Sequence, residues 1–157
     1  MHREPITPEG HQRLKAELHR LKTKERPAVI QAIAEARAHG DLKENGEYHA
    51  AREKQGLLEA RILDLEQLLG KAEVIDHKEH QSDRIVFGST VTLRDLSTDE
   101  EKRYQIVGKF ESDIPAGKIP FSSPIAKALI AKKAGEDVSV QVPKGLLEFK
   151  IIKIEFI

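Results

Sequence analysis

Apolar residues recur along the first half of the chain at alternating spacings of three and four. Leu14, Leu18 and Leu21 open the pattern, and Val29, Ile33 and Ala36 resume it with a shift in phase. Such spacing predicts helix with one apolar stripe. Thr7 suits a helix cap, Pro8 the first helical position, and Glu9 the positive helix end. Pro27 lacks an N–H and its ring clashes with the preceding turn, so a kink or break is expected near Arg26-Pro27, with the helical arm continuing beyond it. Gly40 closes the run, as glycine commonly does past a helix end. A second series, Tyr48, Ala51, Gln55, Leu58, Ile62, Leu65, Leu69 and Ala72, forms a heptad seam with one polar member, and Asn45 is its candidate cap. About five residues separate the two patterns, so the helices must fold back on each other. Arms of about 27 to 32 residues give a rod of roughly 40–48 Å. On spacing alone, the rod is equally a plain hairpin used for dimerisation or as a spacer.

The second half follows a different pattern. Arg84-Ile85-Val86-Phe87 and Thr90-Val91-Thr92-Leu93 read as short strands around Gly88. Leu96 to Glu101 is a turn, and Lys102 to Val107 returns as a strand. Ser123 as cap and Pro124 at the first position open a short helix through Lys132. Asp137 to Val142, the turn Pro143-Lys144-Gly145 and Leu146 to Ile157 make a closing hairpin. The expected fold is α+β: residues 1–76 an antiparallel helical hairpin, 77–83 a polar linker, and 84–157 a small, mostly antiparallel sheet with one helix on a face.

Composition narrows the function. The 157 residues carry 26 Lys+Arg and 26 Asp+Glu, split 13 against 14 up to Asp76 and 13 against 12 after it. Neither half is the strongly basic module that non-specific nucleic-acid or membrane binding needs. Cysteine is absent, which removes disulfides, thiolate metal sites and a cysteine nucleophile. No apolar run approaches the roughly 20 residues that span a bilayer. Met1-His2-Arg3-Glu4-Pro5 lacks the apolar core of a signal peptide, so a cytoplasmic, non-membrane protein is expected.

The chemistry concentrates where the rod turns, in His39-Gly40-Asp41-Leu42-Lys43-Glu44-Asn45-Gly46-Glu47-Tyr48-His49. Asp41 and Glu44 straddle the turn, so both carboxylates can reach one small cation. Mg²⁺ prefers oxygen ligands, usually takes one or two carboxylates and keeps waters. Two carboxylates do not hold Mg²⁺ unaided but complete a site whose other ligands come from a partner. The plain alternative is a solvated acidic turn. A soft-metal site on His39 and His49 is a further alternative.

The run from Ala34 to Gln55, with Ile6-Thr7, Val74-Ile75-Asp76, Phe87-Gly88-Ser89-Thr90-Val91 and Ser122-Ser123-Pro124-Ile125-Ala126, resembles the bacterial Gre transcript-cleavage factors over essentially the whole chain. The resemblance implies a coiled-coil hairpin followed by an FKBP-like α+β domain. It implies binding to RNA polymerase, with the hairpin entering the secondary channel and its tip reaching the active site and the nascent RNA 3′ end. Residues matching Asp41 and Glu44 then help hold the second Mg²⁺ and position a water, while the polymerase remains the catalyst. The free protein, expected to be a monomer, needs no cofactor. The globular domain docks at the channel rim, where Ser122, Ser123 and Pro124 match the contact loop.

Several residues keep two readings. Leu42 wedges against the channel or covers the end of the seam. Arg37 and Arg52 touch RNA phosphates or the channel wall, or are solvated helix surface. Tyr48 packs in the seam or meets metal or RNA. Phe121 offers an apolar patch beside the Ser123 helix start, or packs inward. Gly46 stands where the family commonly carries Ala, at a cost of up to about 1 kcal/mol. The neutral charge suits the less basic branch of the family. Competing functions are a same-fold, non-cleaving inhibitor of the polymerase, a prolyl isomerase built on the second half, and a general coiled-coil adaptor. An isomerase needs an aromatic-lined apolar pocket, for which few aromatics are present.

Overall fold

The structure, a computed structural model, describes residues 3–41 and 44–157. The chain divides into two compact units, a helical one of His11–Ala72 and a sheet-based one of Arg3–Gly10 with Glu73–Ile157. The boundary therefore falls at Ala72 rather than Asp76, and residues 77–83, expected as a linker, group with the sheet unit. His77 is the clearest departure from a solvated linker: it is 1% exposed and its Nε2 lies 2.9 Å from a main-chain oxygen of Ile157.

In the helical unit, α1 (Pro8–Arg20) and α2 (Arg26–Arg37) are joined by a π-helical turn, Leu21–Glu25, and α3 spans Gly46–Lys71. The widened turn is the physical form of the phase shift in the sequence. A strict continuation from Leu14, Leu18 and Leu21 would put the next apolar positions one residue before Val29, Ile33 and Ala36. A π turn takes up one extra residue, with the Arg26 N–H reaching back to the Leu21 carbonyl. All six seam positions except Leu18 are fully buried, and Leu18 is partly so. The expected break at Arg26-Pro27 is thus one turn upstream, because Pro27 sits within the first two residues of α2, where its missing N–H costs little. The facing seam has Leu58, Ile62 and Leu65 buried, with Tyr48, Ala51, Gln55 and Leu69 partly covered. Two bidentate pairs cross between arms, Arg61 to Glu17 at 2.9 Å and Arg26 to Glu59 at 2.8 Å. The hydrogen bonds from Arg61 and Arg26 hold the Glu17 and Glu59 carboxyls below the usual carboxylate range.

Where α3 ends, β2 (Ala72–Val74) begins and pairs with β1 (Glu4–Ile6), so that Ala72, expected as the last seam position, is a strand residue. The main sheet comprises β3 (Thr90–Asp95), β4 (Glu101–Val107), β5 (Lys118–Pro120), β6 (Asp137–Val142) and β7 (Gly145–Glu155), in the order β5-β4-β3-β7-β6. Pairings are antiparallel except β4 with β5. Helix α4 (Pro124–Leu129) contributes Ala126 and Leu129 to a core with Ile85, Val91, Leu93, Ile106, Phe149 and Ile151.

Two expected elements change. Arg84 to Phe87 is not a strand. Fully buried Ile85 instead exchanges backbone bonds with the segment after α4, donating to the Lys132 carbonyl and accepting from the Ala131 N–H, each at 2.8 Å. Those bonds also explain why α4 stops at Leu129 and not Lys132: Ala131 has a φ of 73°, outside any right-handed helix. Thr7 caps α1 as expected, its hydroxyl accepting from the Gly10 N–H at 3.1 Å. Buried Glu111, which no pattern pointed to, accepts from the Thr7 hydroxyl, from the Thr7 N–H at 3.0 Å and from the Gly108 N–H at 2.8 Å. A carboxylate removed from water needs such partners. A side chain at Gly10 would occupy the same space as the Glu111 carboxylate.

Candidate functional site: the hairpin tip

Helix α2 ends at Arg37, and the chain turns through Ala38–Gly40. Gly40 has a φ of 120°, a conformation that a side chain disfavours. Beyond it Asp41 and Glu44 are both exposed. Leu42, read from the sequence as a wedge or seam cover, lies outside the described residues.

Asn45 fixes the far side of the turn. Its Oδ1 accepts from the Tyr48 N–H at 3.0 Å, capping α3, while its Nδ2 donates to the Ala36 carbonyl at 2.5 Å. One side chain thus satisfies an orphan donor of α3 and adds a second bond to the Ala36 carbonyl, which also accepts from the His39 N–H at 3.2 Å. The capping role was legible in the sequence; the second bond was not, because it depends on which carbonyl the turn brings close. His39 Nδ1 lies 3.1 Å from Glu47 Oε2, a second tie across the tip that no spacing rule predicts. Glu47 is thereby engaged with His39. No group of three or more His, Cys, Asp or Glu suited to a metal occurs among the described residues.

The flanking residues are also ordered. The Arg37 guanidinium lies over the Tyr48 ring, 5.8 Å from its centroid, and His49 meets the same ring edge-on at 5.5 Å. Tyr48 is half-buried on the seam, so it packs as the spacing predicts. Arg37 and Arg52 come together along one groove of about 270 Å³, walled by Ile30, Ile33, Ala34 and Gln55. Arg52 bonds Gln55 at 3.3 Å. The two cations therefore border the same surface instead of pointing to separate stretches of solvent.

The second predicted contact region lies in the sheet unit. Ser123 caps α4, its hydroxyl accepting from the Ala126 N–H at 3.2 Å, and Ser122 and Pro124 are exposed beside it. Phe121 packs inward against the core and edge-on to Phe87, with ring centroids 6.1 Å apart. Phe121 therefore packs inward while staying partly exposed beside Ser122 and Pro124.

Residues 4–74 match the family described as transcription elongation factor, N-terminal, and residues 80–156 match that of the GreA/GreB C-terminal domain. The chain is 56% identical over 156 residues to transcription elongation factor GreA of Xanthomonas campestris pv. campestris, covering 99% of each chain. It is 52% identical over 155 residues to GreA of Psychrobacter cryohalolentis, covering 98% of each. Among solved structures, GreA factor homolog 1 of Thermus thermophilus is 28% identical, with 98% of this chain and 99% of that one covered and a TM-score of 0.45.

Proposed function

The chain belongs to the GreA/GreB family of transcription elongation factors, and from that membership we propose that it binds RNA polymerase, enters the secondary channel with its hairpin tip and stimulates the polymerase's own cleavage of backtracked RNA. The observation that carries this reading is the exposed carboxylate pair, Asp41 and Glu44, on a turn that Asn45 and His39 tie down from both sides. Hard oxygen donors in that number suit Mg²⁺ only as part of a larger ligand set. The donor set fits a shared ion: Asp41 and Glu44 would hold one face of it and the polymerase the rest. Bound there, Mg²⁺ would supply charge neutralisation at the scissile phosphodiester and an acidified water. The chain's own part is to bring the carboxylates in pre-oriented, so that little conformational entropy remains to be lost at the active site.

Arg37 and Arg52, bordering one groove behind the tip, suit phosphates of the nascent RNA 3′ end. Their two-sided placement favours that reading over a merely solvated surface. Ser122, Ser123 and Pro124 dock at the channel rim. The protein acts in the cytoplasm and is not itself a nuclease; no helix among the described residues is long and apolar enough to cross a membrane. A non-cleaving inhibitor has no observation in its favour, since both carboxylates are present and exposed.

The test is cleavage in a stalled, backtracked complex. Asp41→Ala or Glu44→Ala abolishes stimulation while binding to polymerase stays nearly unchanged, and the purified chain with Mg²⁺ leaves naked RNA intact. Parental cleavage by both variants would remove the metal reading, and cleavage of naked RNA would make the chain an enzyme in its own right.

A further inference from the structure

The main sheet has a second face. Strand alternation sends Val91, Leu93, Ile106 and Ile119 into the core beneath α4, and turns Thr90, Arg103, Gln105 and Lys118 the other way. Thr90 of β3 pairs with Gln105 of β4, which in turn pairs with Lys118 of β5. Three adjacent strands thus deliver polar side chains to one place. There they line a pocket of about 440 Å³, closed at its edge by Gly117 and Ile157. That volume lies within the roughly 300–1,000 Å³ typical of small-ligand sites.

The groups around this pocket are donors with little to donate to. Lys118 pairs with no carboxylate among the described residues. Thr90 is 7% exposed, and its hydroxyl, open to the pocket and not a buried orphan, makes no hydrogen bond among them. The Gln105 amide reaches the Gly88 carbonyl only at 3.4 Å. Arg103 Nη2 stands 3.6 Å from Glu155 Oε1, beyond hydrogen-bond length, and Lys153 lies 3.5 Å from the same oxygen. Gly117, with a φ of 77°, holds the preceding turn close against β4; a side chain there would approach the Arg103 carbonyl oxygen to 2.6 Å. The wall is built for closeness, and a branched oxyanion would satisfy what it presents. We propose that this pocket binds a phosphoanhydride, through Arg103 and Lys118 as cations and Thr90 and Gln105 as neutral donors. Charge-assisted bonds of this kind are the strong ones in recognition of phosphate. Free pyrophosphate and the polyphosphate tail of a nucleotide share that chemistry.

The experiment is titration of the ¹⁵N-labelled full chain with pyrophosphate, with a nucleoside triphosphate and with the bare nucleoside, followed by amide shifts. Saturable shifts are expected around Thr90, Arg103, Gln105 and Lys118 with both phosphates and not with the nucleoside. Tighter binding of the nucleotide would identify it as the source, and equal binding would identify the free anion. Lys118→Gln and Arg103→Ala each weaken binding about tenfold, the value of one charge-assisted hydrogen bond. Thr90→Val, which keeps the shape of the side chain, weakens it less. Glu155→Gln tightens it severalfold by releasing Arg103, a change of sign that loss of structure would not produce. The proposal fails if millimolar pyrophosphate gives no saturation, if the nucleoside binds equally, or if the shifts persist in both cation variants.

Discussion

The helical hairpin and the sheet unit bury apolar surface in different geometries. The hairpin has a single seam in which Leu14, Leu21, Val29, Ile33 and Ala36 face Leu58, Ile62 and Leu65, and nearly everything off that seam is exposed. The sheet unit has a two-dimensional core in which Leu93, Phe149, Ile151 and Leu129 are wholly covered. A seam leaves most of the helix surface available for function at almost no cost to folding, which is how Asp41, Glu44, Arg37 and Arg52 all lie at or beside the tip. A layered core leaves only its loops and one sheet face, which is where Ser122, Pro124 and the Lys118 pocket lie.

The sharpest break of that comparison comes from the two cores themselves. Phe149→Ala is expected to cost about 3–5 kcal/mol and Leu65→Ala about 2–5 kcal/mol. If the units are thermally separate, calorimetry of each variant shows only one transition displaced. A single transition moved equally by both would mean that the hairpin and the sheet fold as one cooperative body.

Docking provides the next contrast. Replacing Ser122 and Pro124 weakens binding to polymerase, measured by equilibrium titration, and cleavage recovers at saturating factor because the tip is untouched. A folded variant that stays inactive at saturation would overturn the proposed division of docking and cleavage between the two units.

Smaller effects probe the tip. Asn45→Ala is expected to cost about 0.5–2 kcal/mol, since it loses the α3 cap and one of the two hydrogen bonds that the Ala36 carbonyl accepts. Gly46→Ala works in the opposite direction, adding up to about 1 kcal/mol, because a side chain there meets nothing within 4 Å. Both changes are read from thermal melts followed by helical circular dichroism.

Acid has the smallest expected effect. Glu17 and Glu59 have carboxyl pKa values lowered in the folded hairpin by their arginine bonds. Their contribution is fully present above the unfolded carboxylate pKa of about 4.3 and is lost as pH falls through the lower folded value. Hairpin stability therefore declines on acidification below that point, and Glu17→Gln with Glu59→Gln flattens this part of the pH profile. An unchanged profile would make both bridges neutral, as many exposed ion pairs are.

The sequence by itself determined the elements whose reasons are local. Periodicity marked the hairpin, the phase shift after Leu21 and the seam from Tyr48 to Leu69. Capping chemistry marked Thr7, Asn45 and Ser123, and the run around Asp41 and Glu44 carried the family resemblance. Each of these depends on residues within a few turns of one another, where helix geometry fixes the spacing. The tertiary structure decided what depends on distant partners. Arg84 to Phe87 has strand composition, but Ile85 bonds to the turn after α4 rather than to the sheet. His77 sits in a polar stretch but is buried against Ile157, and Glu111 meets Thr7 across 104 residues of chain. The short strand β5 and the polar pocket beside it arise only when β4 offers its parallel edge. Backbone and buried polar groups take whichever partner the fold brings within about 3 Å, and no local pattern encodes a partner that far along the chain.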